Sequence, residues 1–258
     1  MSNLRAFVKL VAVSLVNLAL YLFLLVSSGL LAAFKRLRGD RSGTALWRTG
    51  IFHVWCGCIA RLLGMRIEVE GPLPRPPFFL VSNHLGYVDV VLMASQLRCV
   101  FVSRADVRDW PLIGRLCVSV DTLFIQREHK RDIPRIVGQI ERVMGGGRGV
   151  VVFPEGTSSG GDGVLPFRAP LLEPAARAGT PVHYASISYR TRPGSPPARD
   201  VVCWWRNMPF AGHLWTLLGL PGFDARLVFG EQPIRDSDRK TLANRLRHEV
   251  ERQLEPVI

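Results

Sequence analysis

From Leu10 to Ala33 the chain carries no charged side chain. Wound as a helix, such a stretch reaches across roughly 30 Å of hydrocarbon. It is too long and too evenly apolar for the core of a signal peptide, and Val26–Ala33 only loosely suggests a cleavage site, so a retained anchor is expected. Arg5 and Lys9 precede the run, whereas Lys35, Arg36, Arg38, Arg41 and Arg48 follow it. That imbalance keeps the body of the protein on the cytoplasmic side. Ser27, Ser28 and Gly29 offer a place to bend, which leaves open both a spanning helix and a hairpin within one leaflet.

The 258 residues suffice for one full-sized domain and an appendage, divided as an anchor over 1–48 and a domain over 49–258. Lys and Arg outnumber Asp and Glu by 33 to 21, a net charge of +12 that calls for an anionic partner. A mean hydropathy of +0.17 points to a membrane surface and away from nucleic acid. The five cysteines are odd in number, lack a C-x-x-C pair and sit in apolar surroundings. They read as reduced packing residues in a cytosolic redox environment, and no metal site is expected.

Leu46–Met65 reads as an amphipathic helix against the bilayer or the domain, ending at Gly64. Strands are expected at Ile67–Glu70, Phe78–Val81, Cys99–Ser103, Val118–Ile125, Val150–Phe153, Pro181–Tyr189 (alternating) and Ala225–Phe229. Helices are expected at Val88–Leu97, with Ser82 and Asn83 as capping side chains, and at Asp132–Met144, Pro170–Ala178 and Asp236–Leu254. Gly145–Gly149 reads as a helix stop, since no Gly-Lys-Ser or Gly-Lys-Thr comes after it. Val201–Phe223, rich in Trp, Phe and Leu but broken by Pro and Gly, suits either an interface or a core.

Two stretches carry chemistry. In Asn83-His-Leu-Gly-Tyr-Val-Asp89, the His and Asp would point about 140° apart on an unbroken helix. They meet only if the chain turns between them, which Gly86 permits. A carboxylate on one ring nitrogen of His84 fixes the tautomer and leaves the other nitrogen free to accept a proton. Alone, such a pair is more often a surface hydrogen bond. The second stretch, Phe153-Pro-Glu-Gly-Thr157, presents a carboxylate, a flexible backbone and a hydroxyl where a central strand ends, the edge at which open α/β sheets bind ligands.

These residues resemble the glycerolipid (lysophospholipid) acyltransferase family, of the 1-acylglycerol-3-phosphate acyltransferase type. Asn83–Asp89 looks like its His-x4-Asp block, Leu123–Arg127 like its second block, Phe153–Thr157 like its third, and Gly179–Ile187 occupies the place of the fourth. The resemblance implies an α/β fold, a mixed central sheet flanked by helices (glycerol-3-phosphate acyltransferase-like) behind a membrane-anchoring helical segment. It further implies acyl transfer from acyl-CoA or acyl carrier protein, with no cofactor besides that co-substrate. The acceptor would be the free hydroxyl of a lysolipid, first of all 1-acyl-sn-glycerol-3-phosphate, giving phosphatidic acid. His84 would be the general base and Asp89 its orienting partner, with no covalent acyl-enzyme. Arg127, Glu155, Gly156 and Thr157 would hold the acceptor's head. Arg104, where the family often has lysine, would add charge. Backbone N–H groups near Gly86 or Gly156 are candidates for the oxyanion site.

Three positions depart from the pattern. Ser158 replaces an arginine, Gln126 replaces Asp or Asn, and Tyr184 replaces a proline. Loss of the basic residue weakens the case for a phosphate-bearing acceptor, so a lyso-ornithine lipid is the alternative. Arg168 is a candidate to restore the charge. A catalytically silent, membrane-anchored lipid-binding protein is the rival of another class, and intact His84, Asp89 and Glu155 argue against it.

Overall fold

The structure is a computed structural model and describes residues 2–38, 43–126 and 132–257. Its first element, α1 (Ser2–Leu37), runs unbroken through Ser27–Gly29. It is the one described helix long and apolar enough to cross a membrane. α2 (Ala45–Leu63) packs against it and ends at Gly64, which adopts the left-handed conformation. Trp55 donates its indole N–H to Asn17, and Trp47 donates to Ser27. Arg5 and Lys9 donate to the carbonyls of Gly219, Leu63 and Leu220, the last carbonyls of two helices, where cations are favoured. The other face of α1 leaves Phe7, Val11, Leu15, Leu18, Leu22 and Leu30 exposed.

The remaining elements run β1 (Met65–Glu70), β2 (Phe79–Ser82), α3 (Val88–Gln96), β3 (Cys99–Arg104), α4 (Ile113–Ser119), β4 (Leu123–Ile125), α5 (Ile133–Gly145), β5 (Gly149–Val152), α6 (Glu173–Ala178), β6 (Val182–Thr191), α7 (Ala198–Val201), α8 (Phe210–Gly219), β7 (Phe223–Phe229) and α9 (Arg239–Gln253). The seven strands order as β1-β7-β6-β2-β5-β3-β4, parallel except for the β6–β7 pair. Along β2, Phe79 and Val81 face one apolar cluster, with α5, α6 and α9, while Leu80 faces the other, with α1, α2, α3 and α8. Both faces are covered, so the central strands are apolar throughout. β6 is therefore buried almost along its length and not alternating as expected.

Two local expectations fail for physical reasons. Val118–Ile125 is not one strand: Val118 and Ser119 finish α4, Asp121 turns with φ 64°, and only Leu123–Ile125 pairs with β3. A short apolar run fits a packed helix end as well as a strand. Ser82 and Asn83 do not cap α3, whose N-cap is Tyr87 without a side-chain bond; Asn83 is committed elsewhere. The helix stop expected at Gly145–Gly149 holds, with α5 ending at Gly145; Gly149 already belongs to β5, and a Cβ there would lie 2.1 Å from the Phe78 ring, so only glycine fits. The Val201–Phe223 stretch serves core and surface together: Leu217, Leu218 and Phe223 are buried, whereas Trp215 remains exposed.

Candidate active site

β2, β3 and β5 run in one direction, so their carboxyl ends deliver His84, Arg104 and Glu155 to one edge of the sheet. After β2 the chain is held at Asn83, which is fully buried. Its side-chain amide donates to the Ile187 carbonyl at 2.9 Å, and its carbonyl accepts the Ile187 N–H at 2.8 Å. Gly86 has φ 153°, and a Cβ there would lie 2.8 Å from the Trp204 backbone nitrogen. Conformation and space both demand glycine, and the resulting turn brings His84 to Asp89.

His84 Nδ1 lies 2.8 Å from Asp89 Oδ2. A carboxylate only accepts, so Nδ1 carries the proton and Nε2 keeps its lone pair. The same Oδ2 accepts the N–H groups of Leu85 at 2.6 Å and Gly86 at 3.0 Å. Oδ1 accepts the Tyr189 hydroxyl at 2.8 Å. Asp89 is wholly buried, with a donor at every face, which offsets the cost of burying charge. The Leu85 and Gly86 N–H groups are thereby committed to Asp89. The His84 ring stacks on Phe153 with centroids 4.3 Å apart, and Phe153 stacks on Phe101, so an apolar wall backs the imidazole.

Pro154–Ser158 comes directly after β5. Glu155 Oε1 accepts the His84 backbone N–H at 3.3 Å, and Oε2 is buried without a partner among the described residues. Burial pushes the Glu155 carboxyl up to about 8; the His84 N–H opposes the shift and Asp89 adds to it. Gly156 takes φ 77°, and a Cβ there would meet Arg168 Nε at 2.5 Å. Arg168 Nε approaches the Glu155 carbonyl at 3.4 Å, and the Arg168 backbone N–H donates to Pro154 at 2.8 Å. Thr157 is exposed. Ser158 Oγ donates to the Trp204 carbonyl at 2.6 Å, Trp204 N–H donates to Leu85 at 2.8 Å, and Ser159 N–H donates to His84 at 2.9 Å.

The structure thus brings His84, Asp89, Glu155, Gly156, Thr157 and Arg168 together. Arg104 reaches the same sheet edge but pairs with Asp106 at 2.6 Å in solvent. Arg127 lies outside the described residues. Sequence reasoning missed Tyr189, the Asn83–Ile187 clasp and the Ser158–Trp204 bond; each joins distant parts of the chain, and no local pattern marks it.

The acyltransferase family model matches residues 66–188. A lyso-ornithine lipid O-acyltransferase of Pseudomonas aeruginosa is 33% identical over 88% of this chain and 88% of its own. One from Rhodobacter capsulatus is 33% identical over 76% of this chain and 73% of its own. A 1-acyl-sn-glycerol-3-phosphate acyltransferase of Neisseria meningitidis is 31% identical over 76% of each. In fold, the chain matches the crystal structure of the 1-acyl-sn-glycerophosphate acyltransferase PlsC from Thermotoga maritima, with a TM-score of 0.58 at 20% identity, covering 95% of this chain and 97% of that one. With lipid acyltransferases as relatives, the exposed apolar face of α1 points to membrane association. The mixed sheet, the site and these likenesses place the chain in one group: it belongs to the acyltransferase family and is an acyltransferase of lysolipids.

Proposed function

We propose that this enzyme esterifies the free hydroxyl of a lyso-ornithine lipid on the cytoplasmic face of the membrane, with α1 as anchor and acyl-CoA or acyl carrier protein as donor. The observation that carries the chemistry is the His84–Asp89 contact at 2.8 Å, which leaves Nε2 as a base. Nε2 removes the hydroxyl proton as the oxygen attacks the thioester carbonyl. The tetrahedral intermediate then expels the thiolate, which regains the proton from the imidazolium. No further cofactor enters the balance. Glu155, Gly156, Thr157 and Arg168 border the acceptor's head, with Arg104 and Arg127 as outlying charge.

The choice of acceptor is supported by Ser158. Where the family carries a basic residue, this hydroxyl is tied to the Trp204 carbonyl and offers a phosphate no charge. Two relatives named for lyso-ornithine lipid agree with that reading. The second reading, 1-acyl-sn-glycerol-3-phosphate as acceptor, is favoured by Arg168, whose guanidinium sits against Gly156 and could replace the missing cation. Full-length protein in detergent, given lyso-ornithine lipid and 1-acylglycerol-3-phosphate side by side with radiolabelled palmitoyl-CoA or palmitoyl carrier protein, separates the two. Higher kcat/KM on lyso-ornithine lipid is expected. A preference for the phosphate acceptor would transfer the assignment to the second reading.

A further inference from the structure

Oδ2 of Asp89 serves the imidazole and the turn, but its Oδ1 faces away, toward β6. There the Tyr189 hydroxyl donates at 2.8 Å from a fully buried ring that meets Phe223 edge-on. A phenol buried so deeply needs an acceptor. Any backbone carbonyl would satisfy it; the acceptor taken is the oxygen opposite the imidazole. Tyr189 also stands two residues beyond Ile187, whose backbone is clasped by Asn83. β6 therefore grips the turn at both ends, at Asn83 and at Asp89.

We infer that Tyr189 is a positioning residue for acyl transfer, holding the carboxylate of Asp89 in place and drawing charge from it, so that it sets the basicity of His84. The inference rests on the reading of His84 as general base. Burial pushes the phenol well above its ordinary value, and the negative charge of Asp89 adds to the shift, so Tyr189 remains a donor across the working pH range. Among the described residues, the other ionisable groups around the pair are Cys203, between α7 and α8, Glu155, after β5, with Arg168 against its carbonyl, and Arg247, on α9.

Without the phenol, more negative charge faces His84, the imidazolium is favoured, and its titration moves to higher pH. A stronger donor at the same place moves it lower. Because Glu155 also titrates nearby, the readout is the His84 imidazole itself, followed by NMR in 15N-histidine-labelled protein in micelles and assigned by its absence in His84→Ala. Tyr189→Phe should raise that titration by about half a pH unit and lower kcat roughly tenfold, with KM for the acceptor little changed. Replacing Tyr189 by 3,5-difluorotyrosine, nearly the same shape but a stronger donor, should shift it the other way. Opposite shifts support the inference, and a purely structural phenol would give none. No shift in either variant, with His84→Ala inactive, overturns the inference and leaves the base assignment standing. An active His84→Ala enzyme overturns the base assignment itself. Should Tyr189→Phe fail to fold, the difluorotyrosine shift decides alone.

Discussion

Asp89 and Glu155 are both buried carboxyls beside one turn, and their surroundings are opposite. Asp89 is met by a donor on every side: one ring N–H, two backbone N–H groups and a phenol. Glu155 has the His84 backbone N–H on one oxygen and no partner on the other among the described residues. Residues 83–89 are thus a closed, preorganised device, built to hold one imidazole in one tautomer. Residues 154–158 are less completely matched: one Glu155 carboxyl oxygen is buried without a hydrogen bond among the described residues, the threonine is exposed, and an arginine is laid over a glycine. On the proposed reading, chemistry is lodged where every polar atom around the base except its own Nε2 is matched, and recognition where the matching is incomplete.

The sharpest way to break this division is to remove its chemical half. His84→Ala should lower acyl transfer about 10³-fold, the size expected for losing a general base. His84 is only half-buried, so its melting temperature in detergent should change little. Transfer at more than a tenth of the parent rate would place the base elsewhere. Asp89→Asn should cost a similar factor with a clear loss of stability as well, since an amide cannot accept from three N–H groups and a phenol together.

Glu155 gives the next largest effect, on stability. Its folded value of about 8 exceeds its ordinary 4.5. Between those values the folded protein keeps a proton that the unfolded chain has released. The stability due to this proton is full below about 4.5 and is lost as pH rises through 8. Glu155→Gln does not titrate and escapes that loss. Its melting temperature relative to the parent should therefore climb with pH across this window, by the equivalent of a few kcal/mol at most. A difference that stays flat would mean that Glu155 is ionised throughout, and the contrast with Asp89 would dissolve.

The two halves also differed in how far they could be read in the sequence. His84, Gly86 and Asp89 lie within one turn, so spacing alone required the bend that Gly86 supplies. Glu155 was legible because it stands two residues past a fully apolar strand, and the carboxyl end of such a strand is where a ligand edge forms. The groups that grip these residues were not legible, because they depend on strand order. Nothing near Asn83 says that β6 will be the neighbour of β2, and so nothing announces Ile187 or Tyr189. The same blindness made Asn83 look like a helix cap and Val118–Ile125 like one strand. Ser158 stood out as a departure from a pattern, yet only its bond to Trp204 shows what the hydroxyl does instead.

That bond is the third test. Ser158→Ala strips a part-buried hydrogen bond that ties the open loop to the 203–205 segment, and through Trp204 N–H to Leu85 in the closed turn. The expected cost is about 1 kcal/mol, or a fall of roughly 2–4 °C in melting temperature for a domain of this size. Ser158→Thr, which keeps the donor, should recover most of it. Equal melting of Ala and Thr variants would show that the loop and the turn are tied by backbone alone.

The smallest effects separate the two arginines. Arg104 makes a two-pronged pair with Asp106 in solvent, at 2.9 and 2.6 Å. Such exposed pairs contribute about 0.5 kcal/mol, and a guanidinium already held by a carboxylate has little charge left for a lipid head. Arg104→Ala should leave stability within that margin and change the acceptor KM by less than about twofold. Arg168 has no carboxylate across from it among the described residues and lies over Gly156, inside the recognition half. Arg168→Ala should therefore raise the acceptor KM by about fivefold, the loss expected from one modest polar contact, while kcat changes less. The comparison is best run on lyso-ornithine lipid and 1-acylglycerol-3-phosphate together. A larger penalty on the phosphate acceptor would mean that Arg168 fills the charge that Ser158 lacks, whereas a larger KM effect from Arg104 would move the acceptor's head from the β5 loop to the end of β3.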